Sequence, residues 1–202
     1  QEAALALQEG MNLVQQKQAQ AALPKLKRAI QLDPGFELAI FWLAEAHLDL
    51  GEVDQTLALY QKIYDTAQRG RVTNISVDAC VNSGLVHAKL GKMDESTHWF
   101  SRAVLLDPDD THGYHWKAYR NMAISHSRKE RNLSAALCAL LAFKANPAKV
   151  DQGMVDEFRQ KGAEEEGAQI LAFPPEPRAL ARRASPARID PAGPGAGVEE
   201  LV

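Results

Sequence analysis

Three histidines recur at a regular spacing and are the first residues to consider for chemistry. His47, His87 and His126 are separated by 40 and 39 residues, which places them at equivalent positions of a repeated unit. Equivalent helices pack about 8–10 Å apart, whereas zinc ligands all lie about 2.0–2.3 Å from one ion. A shared metal site is therefore not expected, and each histidine is predicted to pack in a helical core.

A second histidine group is less regular. His98, His112 and His115 lie near the acidic pair Asp109–Asp110 in the sequence. We interpret this group as part of a surface loop, with adventitious metal binding as the alternative. The acidic run at 164–166 is likewise interpreted as a solvated helix face rather than a metal site.

Sequence motifs for catalysis are missing. There is no glycine-rich phosphate loop, nucleophile elbow or HExxH helix. The two cysteines, Cys80 and Cys138, do not make a disulfide framework and are predicted to be free thiols buried in helices. We therefore predict a protein that is not an enzyme and that uses no metal or cofactor.

The composition is that of a soluble globular protein. The 202 residues are 46% hydrophobic and 24% charged, with a formal net charge of -3. This balance gives no reason to expect a nucleic-acid partner. The sequence contains no run of about 18 apolar residues, so membrane insertion is not expected. The sequence opens with Gln1 rather than Met, so we expect a processed or truncated chain. The compartment stays open between the cytoplasm and, if a signal peptide was removed, the periplasm.

The elements that carry these residues form an internal repeat. Proline follows an amphipathic run at Asp33–Pro34, Asp107–Pro108 and Asn146–Pro147, and proline ends a helix because it lacks an N–H. Each of these runs carries three small or large residues spaced four and then three positions apart, which we call a ladder. One further run carries such a ladder but has Gln68 where the proline would stand. The ladders are Ala22, Leu26 and Ala29; Thr56, Tyr60 and Ile63; Ser96, Phe100 and Ala103; and Ala135, Ala139 and Ala142.

Another helix is predicted before each ladder, with a small residue near its middle: Gly10, Ala44, Gly84 or Ala123. Small residues let two helices approach closely, and the large residue of the ladder fills the space beside them. One such pair cannot bury its apolar face alone, so the pairs are expected to stack into a solenoid.

These residues resemble the tetratricopeptide repeat family over roughly residues 3–147. The resemblance implies an all-α, right-handed α-solenoid of antiparallel helix pairs with a C-terminal capping helix. We predict four helix pairs in 1–147, a capping helix in 148–171 and an extended Pro/Gly/Ala-rich tail in 172–202. The longer spacings place extra residues near 69–76 and 109–115, either in loops or in longer first helices.

In this family the first helix of each pair lines a concave groove, so the resemblance also implies the residues that bind a partner. The predicted groove is apolar in its N-terminal half and basic in its C-terminal half, which suits a partner segment with apolar anchors and one acidic end. Its lining residues are Leu7, Met11, Val14, Leu38, Phe41, Glu45, Leu48, Val81, Asn82, Leu85, Lys89, Lys117, Arg120, Asn121, Ile124 and Arg128.

One branch of the family holds a C-terminal carboxylate with lysine and asparagine side chains from successive repeats. Asn82 and Lys117 match two positions of that clamp, whereas Phe41 and Glu45 replace its first lysine and asparagine. Half of the clamp is missing, so binding of that type is not expected here.

Three functional hypotheses follow. The first is an adaptor or scaffold that binds a peptide or another protein segment in the predicted groove. The second is a self-assembling structural protein that uses groove and tail contacts, with the acidic end at 199–202 as the segment that docks. The third is an accessory subunit of a bacterial envelope or secretion machine.

Overall fold

The computed structural model describes residues 1–166, with side chains to Glu164, and within this range the chain forms nine α-helices and no strand. The fold is the predicted all-helical α-solenoid, in which successive helices pack on one another in chain order. The helices are α1 (Glu2–Gln15), α2 (Ala19–Leu32), α3 (Glu37–Asp49), α4 (Val53–Arg69), α5 (Asn74–Lys89), α6 (Met93–Leu106), α7 (His115–Arg128), α8 (Asn132–Ala145) and α9 (Gln152–Glu166).

The first eight helices form pairs, and each pair turns at a residue with left-handed backbone. Gly51 and Gly91 both have φ of 76°, while Lys17 and Glu130 have φ of 61° and 56°. Each of these residues lies seven positions after the small central residue of its first helix. Glycine adopts positive φ at little steric cost, so pairs two and three make this turn with less strain than pairs one and four.

Pairs one, three and four end before a proline. Asp33 and Asn146, which follow α2 and α8, have extended backbone with φ of -141° and -154°. Proline disfavours the helical region for the residue before it, so the Asp-Pro and Asn-Pro steps set these helix ends, as the sequence predicts.

The packing inside the pairs follows the predicted ladder of small and large residues. A Cβ atom added at Gly10 would lie 2.6 Å from Leu26, and one added at Gly84 would lie 2.5 Å from Phe100. Leu26 and Phe100 are both fully buried. These two glycines therefore let a large side chain of the second helix pack directly on the backbone of the first.

The extra residues of the longer repeats are accommodated in two different ways. Near 69–76 they lengthen helices, since α4 has 17 residues and α5 has 16. Near 109–115 they form a loop before α7, and the buried Asp107 carboxylate accepts the backbone N–H groups of Thr111 and His112 at 3.0 and 2.8 Å. Burial alone would raise the pKa of Asp107, but these two N–H donors hold it below its usual value.

Helix α9 packs against α8 and covers the end of the fourth pair. Val150, Val155 and Phe158 are buried with the alanine ladder of α8. Met154 of the same helix is partly buried against this cluster. Ile170, Leu171 and the predicted tail at 172–202 lie outside the described residues. Among the described helices, none is both long enough and apolar enough to cross a bilayer.

Candidate partner-binding surface

The first helices of the four pairs form a row, in which α1 contacts α3, α3 contacts α5 and α5 contacts α7. All residues of the predicted groove lie on these four helices. Three of them do not offer surface to a partner: Leu7 and Val14 are 5% exposed and Val81 is fully buried. The structure therefore corrects the predicted lining at these positions, where the side chains pack in the core between helices.

The α3–α5 contact is filled by the chain's own side chains. The Tyr60 hydroxyl of α4 donates to Oε1 of Glu45, and the Asn82 amide of α5 donates to the same oxygen at 3.2 Å. The Phe41 ring lies 5.9 Å from the ring of Tyr60. Burial, followed by the charge of Glu45, raises the pKa of Tyr60, so its hydroxyl stays protonated and donates.

The N-terminal ends of α5 and α7 are joined by an ion pair. Lys117 Nζ lies 3.1 Å from Asp78 Oδ1 and 5.8 Å from the centre of the Tyr114 ring. Asn82 and Lys117 are the two positions that match the carboxylate clamp, and both are engaged by carboxylates of this chain, Glu45 and Asp78. The structure thus gives a physical reason why a clamp of that type is not expected.

Further along the same two helices, a cleft of about 430 Å³ opens between α5 and α7. Five residues of the predicted groove line it, and three residues that the sequence reasoning missed complete its wall and floor. The predicted residues are Leu85, Lys89, Asn121, Ile124 and Arg128; the missed ones are Ala88, Phe100 and Ser125. The other residues of the predicted groove, Met11, Leu38, Phe41, Glu45, Leu48, Asn82, Lys117 and Arg120, do not line this cleft.

The opening has a cause in the sequence. Four positions after the small central residue, pairs one and two carry Val14 and Leu48, whereas pair three carries Ala88. Val14 is buried and Leu48 is half-buried, whereas the side chain of Ala88 is a single methyl group and fills less of the space beside it. A comparison of this one position between the repeats would have identified Ala88 from the sequence as part of the cleft.

Two cations at the edge of the cleft are uncompensated. Lys89 and Arg128 are exposed in the last turns of α5 and α7, and no ion pair between described residues involves either of them. The two cations in the turn that follows α7 are paired instead: Lys129 and Arg131 lie 3.1 and 2.9 Å from the Asp94 carboxylate. Of the four cations in the predicted groove, Lys89 and Arg128 therefore line this cleft as exposed charges, whereas Lys117 is paired with Asp78.

The repeated histidines are placed as the spacing predicts, on successive first helices, but only His47 is buried. Its Nδ1 pairs with Glu52, whereas the buried Nδ1 atoms of His87 and His126 have no hydrogen-bond partner among the described residues. Both rings are otherwise half-exposed. Burial is the largest cause that lowers the pKa of His87 and of His126.

The second histidine group does not form a site. His98 is exposed on α6, and His115 begins α7, where its Nε2 donates to the Asp107 carbonyl at 2.8 Å. Within residues 1–166, no three histidine, cysteine or acidic side chains are grouped so as to hold a metal ion. Cys80 and Cys138 are free and buried, as predicted, and burial raises the pKa of their thiols to about 12 and about 11.

Comparisons with known proteins agree with the repeat. Two family models, each described as Tetratricopeptide repeat, match residues 13–75 and 77–110. A search of curated proteins finds no match.

Solved structures share the fold at low sequence identity. A MamA structure from Desulfovibrio magneticus RS-1 has a TM-score of 0.62 at 13% identity and covers 82% of this chain and 86% of its own. Pseudomonas aeruginosa PilF has a TM-score of 0.61 at 15% identity, with 81% and 67% covered. PilW, described as a widely conserved type IV pilus biogenesis factor, has a TM-score of 0.60 at 20% identity, with 81% and 77% covered.

Proposed function

This chain belongs to the tetratricopeptide repeat family, and we propose that it is a protein-interaction scaffold that binds a segment of a partner protein on its row of first helices. The observation that carries the proposal is the α5–α7 cleft, which brings together five residues expected to line the groove. Repeats of this family are generally interaction modules rather than enzymes, which agrees with the absence of a catalytic motif in the sequence.

The partner segment proposed here carries apolar anchors and an acidic end. Half-buried Met11, Leu38 and Phe41 offer apolar surface on α1 and α3, and Leu85 and Ile124 continue it to the cleft. Each fully buried anchor of the partner would contribute roughly 1.5–3 kcal/mol before association costs are subtracted. Lys89 and Arg128, rather than the internally paired Lys117, supply the charge that meets the acidic end.

Selection from a random peptide library displayed on phage tests this function. The intact protein is expected to select peptides that bind it but bind at least about tenfold more weakly, or about 1.4 kcal/mol, to the variant Leu85→Glu with Ile124→Glu. Leu105→Glu is the matched control, because Leu105 is 76% exposed on the second helix α6. Equal binding to all three proteins, or no selected peptide at all, would exclude this surface as the binding site.

Self-assembly is a second candidate, and one observation favours it. Leu5, a large apolar residue of α1, is 65% exposed. Light scattering over a range of protein concentrations distinguishes the two functions, since a monomer at high concentration contradicts assembly through this chain. The role as an accessory subunit of an envelope machine stays a hypothesis, which the sequence of the full-length protein would test.

A further inference from the structure

We propose that the α5–α7 cleft is the specificity pocket of the scaffold, and that it takes one large aliphatic side chain of a partner segment whose neighbouring residues are carboxylates. The proposal rests on the proposed function, because it assumes that the row of first helices binds a partner. It adds which residue of the partner is recognised, where it sits, and which single position of this chain makes room for it.

The residues that line the cleft indicate an apolar side chain as its occupant. Leu85 and Ile124 line it on α5 and α7, and the Phe100 ring of α6 reaches it from below. Phe100 is fully buried and packs on the backbone of Gly84, so it supports the cleft from the core, and Leu85 and Ile124 are the partly exposed apolar side chains that a partner would contact. A partner side chain inserted here therefore meets a preformed apolar surface, which lowers the cost of ordering the site.

Small residues keep the cleft open. Ala88 stands where the two preceding pairs have Val14 and Leu48. On the α7 side, Ser125 is almost fully buried and its hydroxyl is hydrogen-bonded to Ser96 at 3.2 Å, so it is satisfied inside the protein and needs no polar group from a ligand. The opening thus matches an aliphatic side chain better than a polar one.

Charge complementarity identifies what flanks that side chain. Lys89 and Arg128 line the same cleft as its apolar residues, and both are exposed without an ion pair among the described side chains. Two cations beside an apolar slot attract carboxylates and repel cationic partners, so they set both selectivity and association rate. The acidic Glu45 and Asp78 are engaged with Asn82 and Lys117 instead.

The experiment takes the peptides selected by the intact protein and measures, by fluorescence anisotropy, their affinity for the intact protein and for three variants. Ala88→Leu fills the slot with the side chain that pair two already carries at this position. Lys89→Gln with Arg128→Gln removes the two charges and leaves the slot. The matched control combines Ser127→Leu, the equivalent position of pair four, with Lys62→Gln, an exposed cation on α4; neither residue lines the cleft.

The selected peptides are expected to share one leucine, isoleucine or methionine next to aspartate or glutamate. Ala88→Leu should weaken their binding by about tenfold or more, which is about 1.4 kcal/mol. The double charge variant should weaken binding and also flatten its dependence on salt, since surface charges are screened within about 8 Å at physiological ionic strength. The control should bind as the intact protein does.

The outcomes separate this inference from the proposed function. If selected peptides lose binding to Leu85→Glu with Ile124→Glu but bind Ala88→Leu unchanged, the scaffold function stands and the pocket is wrong. If the selected peptides lack acidic residues, or bind Lys89→Gln with Arg128→Gln as tightly as they bind the intact protein, the proposed recognition of carboxylates is overturned. If the intact protein instead dimerises and Ala88→Leu makes it monomeric, the occupant is a second copy of this chain. Should Ala88→Leu fail to fold, as judged by circular dichroism, Ala88→Val tests the same slot.

Discussion

The two contacts that α5 makes within the row of first helices differ sharply, although the repeat makes them equivalent. Toward α3, Glu45 accepts hydrogen bonds from both the Tyr60 hydroxyl and the Asn82 amide. Toward α7, the cleft opens beside Ala88 down to Phe100. The first contact is closed by the chain itself, and the second is left for something else to fill.

This difference shows how a repeat protein gains a site without changing its framework. The pairing of a small residue with a large one is the same at both places, since Ala44 with Tyr60 and Gly84 with Phe100 are all buried. What differs is the residues around this core: pair two has the hydrogen-bonded Glu45 and then Leu48, where pair three has Leu85 and then Ala88. Function in such a fold resides in these residues rather than in the fold itself.

The largest expected effect tests whether the floor of the open cleft is true core. Phe100→Ala should lower the free energy of unfolding by about 3–5 kcal/mol, because it leaves a cavity beneath Gly84 that the helices cannot close. Leu105→Ala on the same helix is the control, and a side chain 76% exposed should change the same quantity by no more than about 0.5 kcal/mol. Urea unfolding followed by circular dichroism measures both.

Equal losses for the two variants would show that Phe100 is not held as the structure describes. The α5–α7 cleft would then be a loosely packed region, and its contrast with the α3–α5 contact would disappear.

An intermediate effect is expected at the closed contact. Glu45→Ala removes the acceptor of the buried Tyr60 hydroxyl, and an unsatisfied buried donor costs about 1–3 kcal/mol. Adding Tyr60→Phe should recover part of that loss, so the double variant should be less destabilised than the two single variants together. At the open contact, Asn121→Ala should have a smaller effect, because among the described residues the Asn121 amide donates within its own helix, to the Lys117 carbonyl at 2.7 Å.

The free energies of unfolding of these variants check the comparison directly. Additive effects of Glu45→Ala and Tyr60→Phe would mean that the carboxylate does not hold the hydroxyl. A cost for Asn121→Ala equal to that of Glu45→Ala would mean that the open contact depends on polar groups to the same degree.

Much of the fold is predictable from the sequence because its signals are local. A glycine or alanine in the first helix, a large residue in the second and a proline after it are each read from a few neighbouring residues, and the structure confirms that packing at Gly10 and Gly84. The sequence does not distinguish a longer α4 and α5 from a loop after the second repeat, because no local signal separates the two.

The site is less predictable because it depends on contacts between repeats. Alignment on the small central residue places Leu7, Val14 and Val81 on the groove, but helix packing buries all three. The same alignment counts Lys117 as a free cation, although Asp78 lies one pair away in the fold and 39 residues away in the sequence. Ala88 was missed for the opposite reason, since an alanine draws notice only when its larger equivalents, Val14 and Leu48, are compared with it.

The smallest effect is expected from pH. Burial lowers the folded-state pKa of His87, which faces Glu95 and Lys92, and that of His126, which faces Arg131 and Asp94. In the unfolded chain histidine has a pKa of about 6.5, so the unfolded chain binds protons at a higher pH than the folded chain does. These two histidines should therefore contribute nothing to the pH dependence of the free energy of unfolding above neutrality, and that free energy should fall as the pH drops below about 6.5.

The matched pair for this test is His87→Gln with His126→Gln against His98→Gln, which changes an exposed side chain of α6. Urea unfolding between about pH 7 and pH 5 stays above the range in which Asp107, whose pKa is also lowered, begins to titrate. The double variant should flatten the pH dependence while His98→Gln leaves it intact. Because His87 and His126 both lie on the helices that form the cleft, whereas His47 of pair two is hydrogen-bonded to Glu52, such a result would place the acid-sensitive part of the row at its open contact. If the double variant keeps the same pH dependence of the free energy of unfolding, then groups other than His87 and His126 cause the loss of stability in acid, and these two histidines do not destabilise the helices of the cleft.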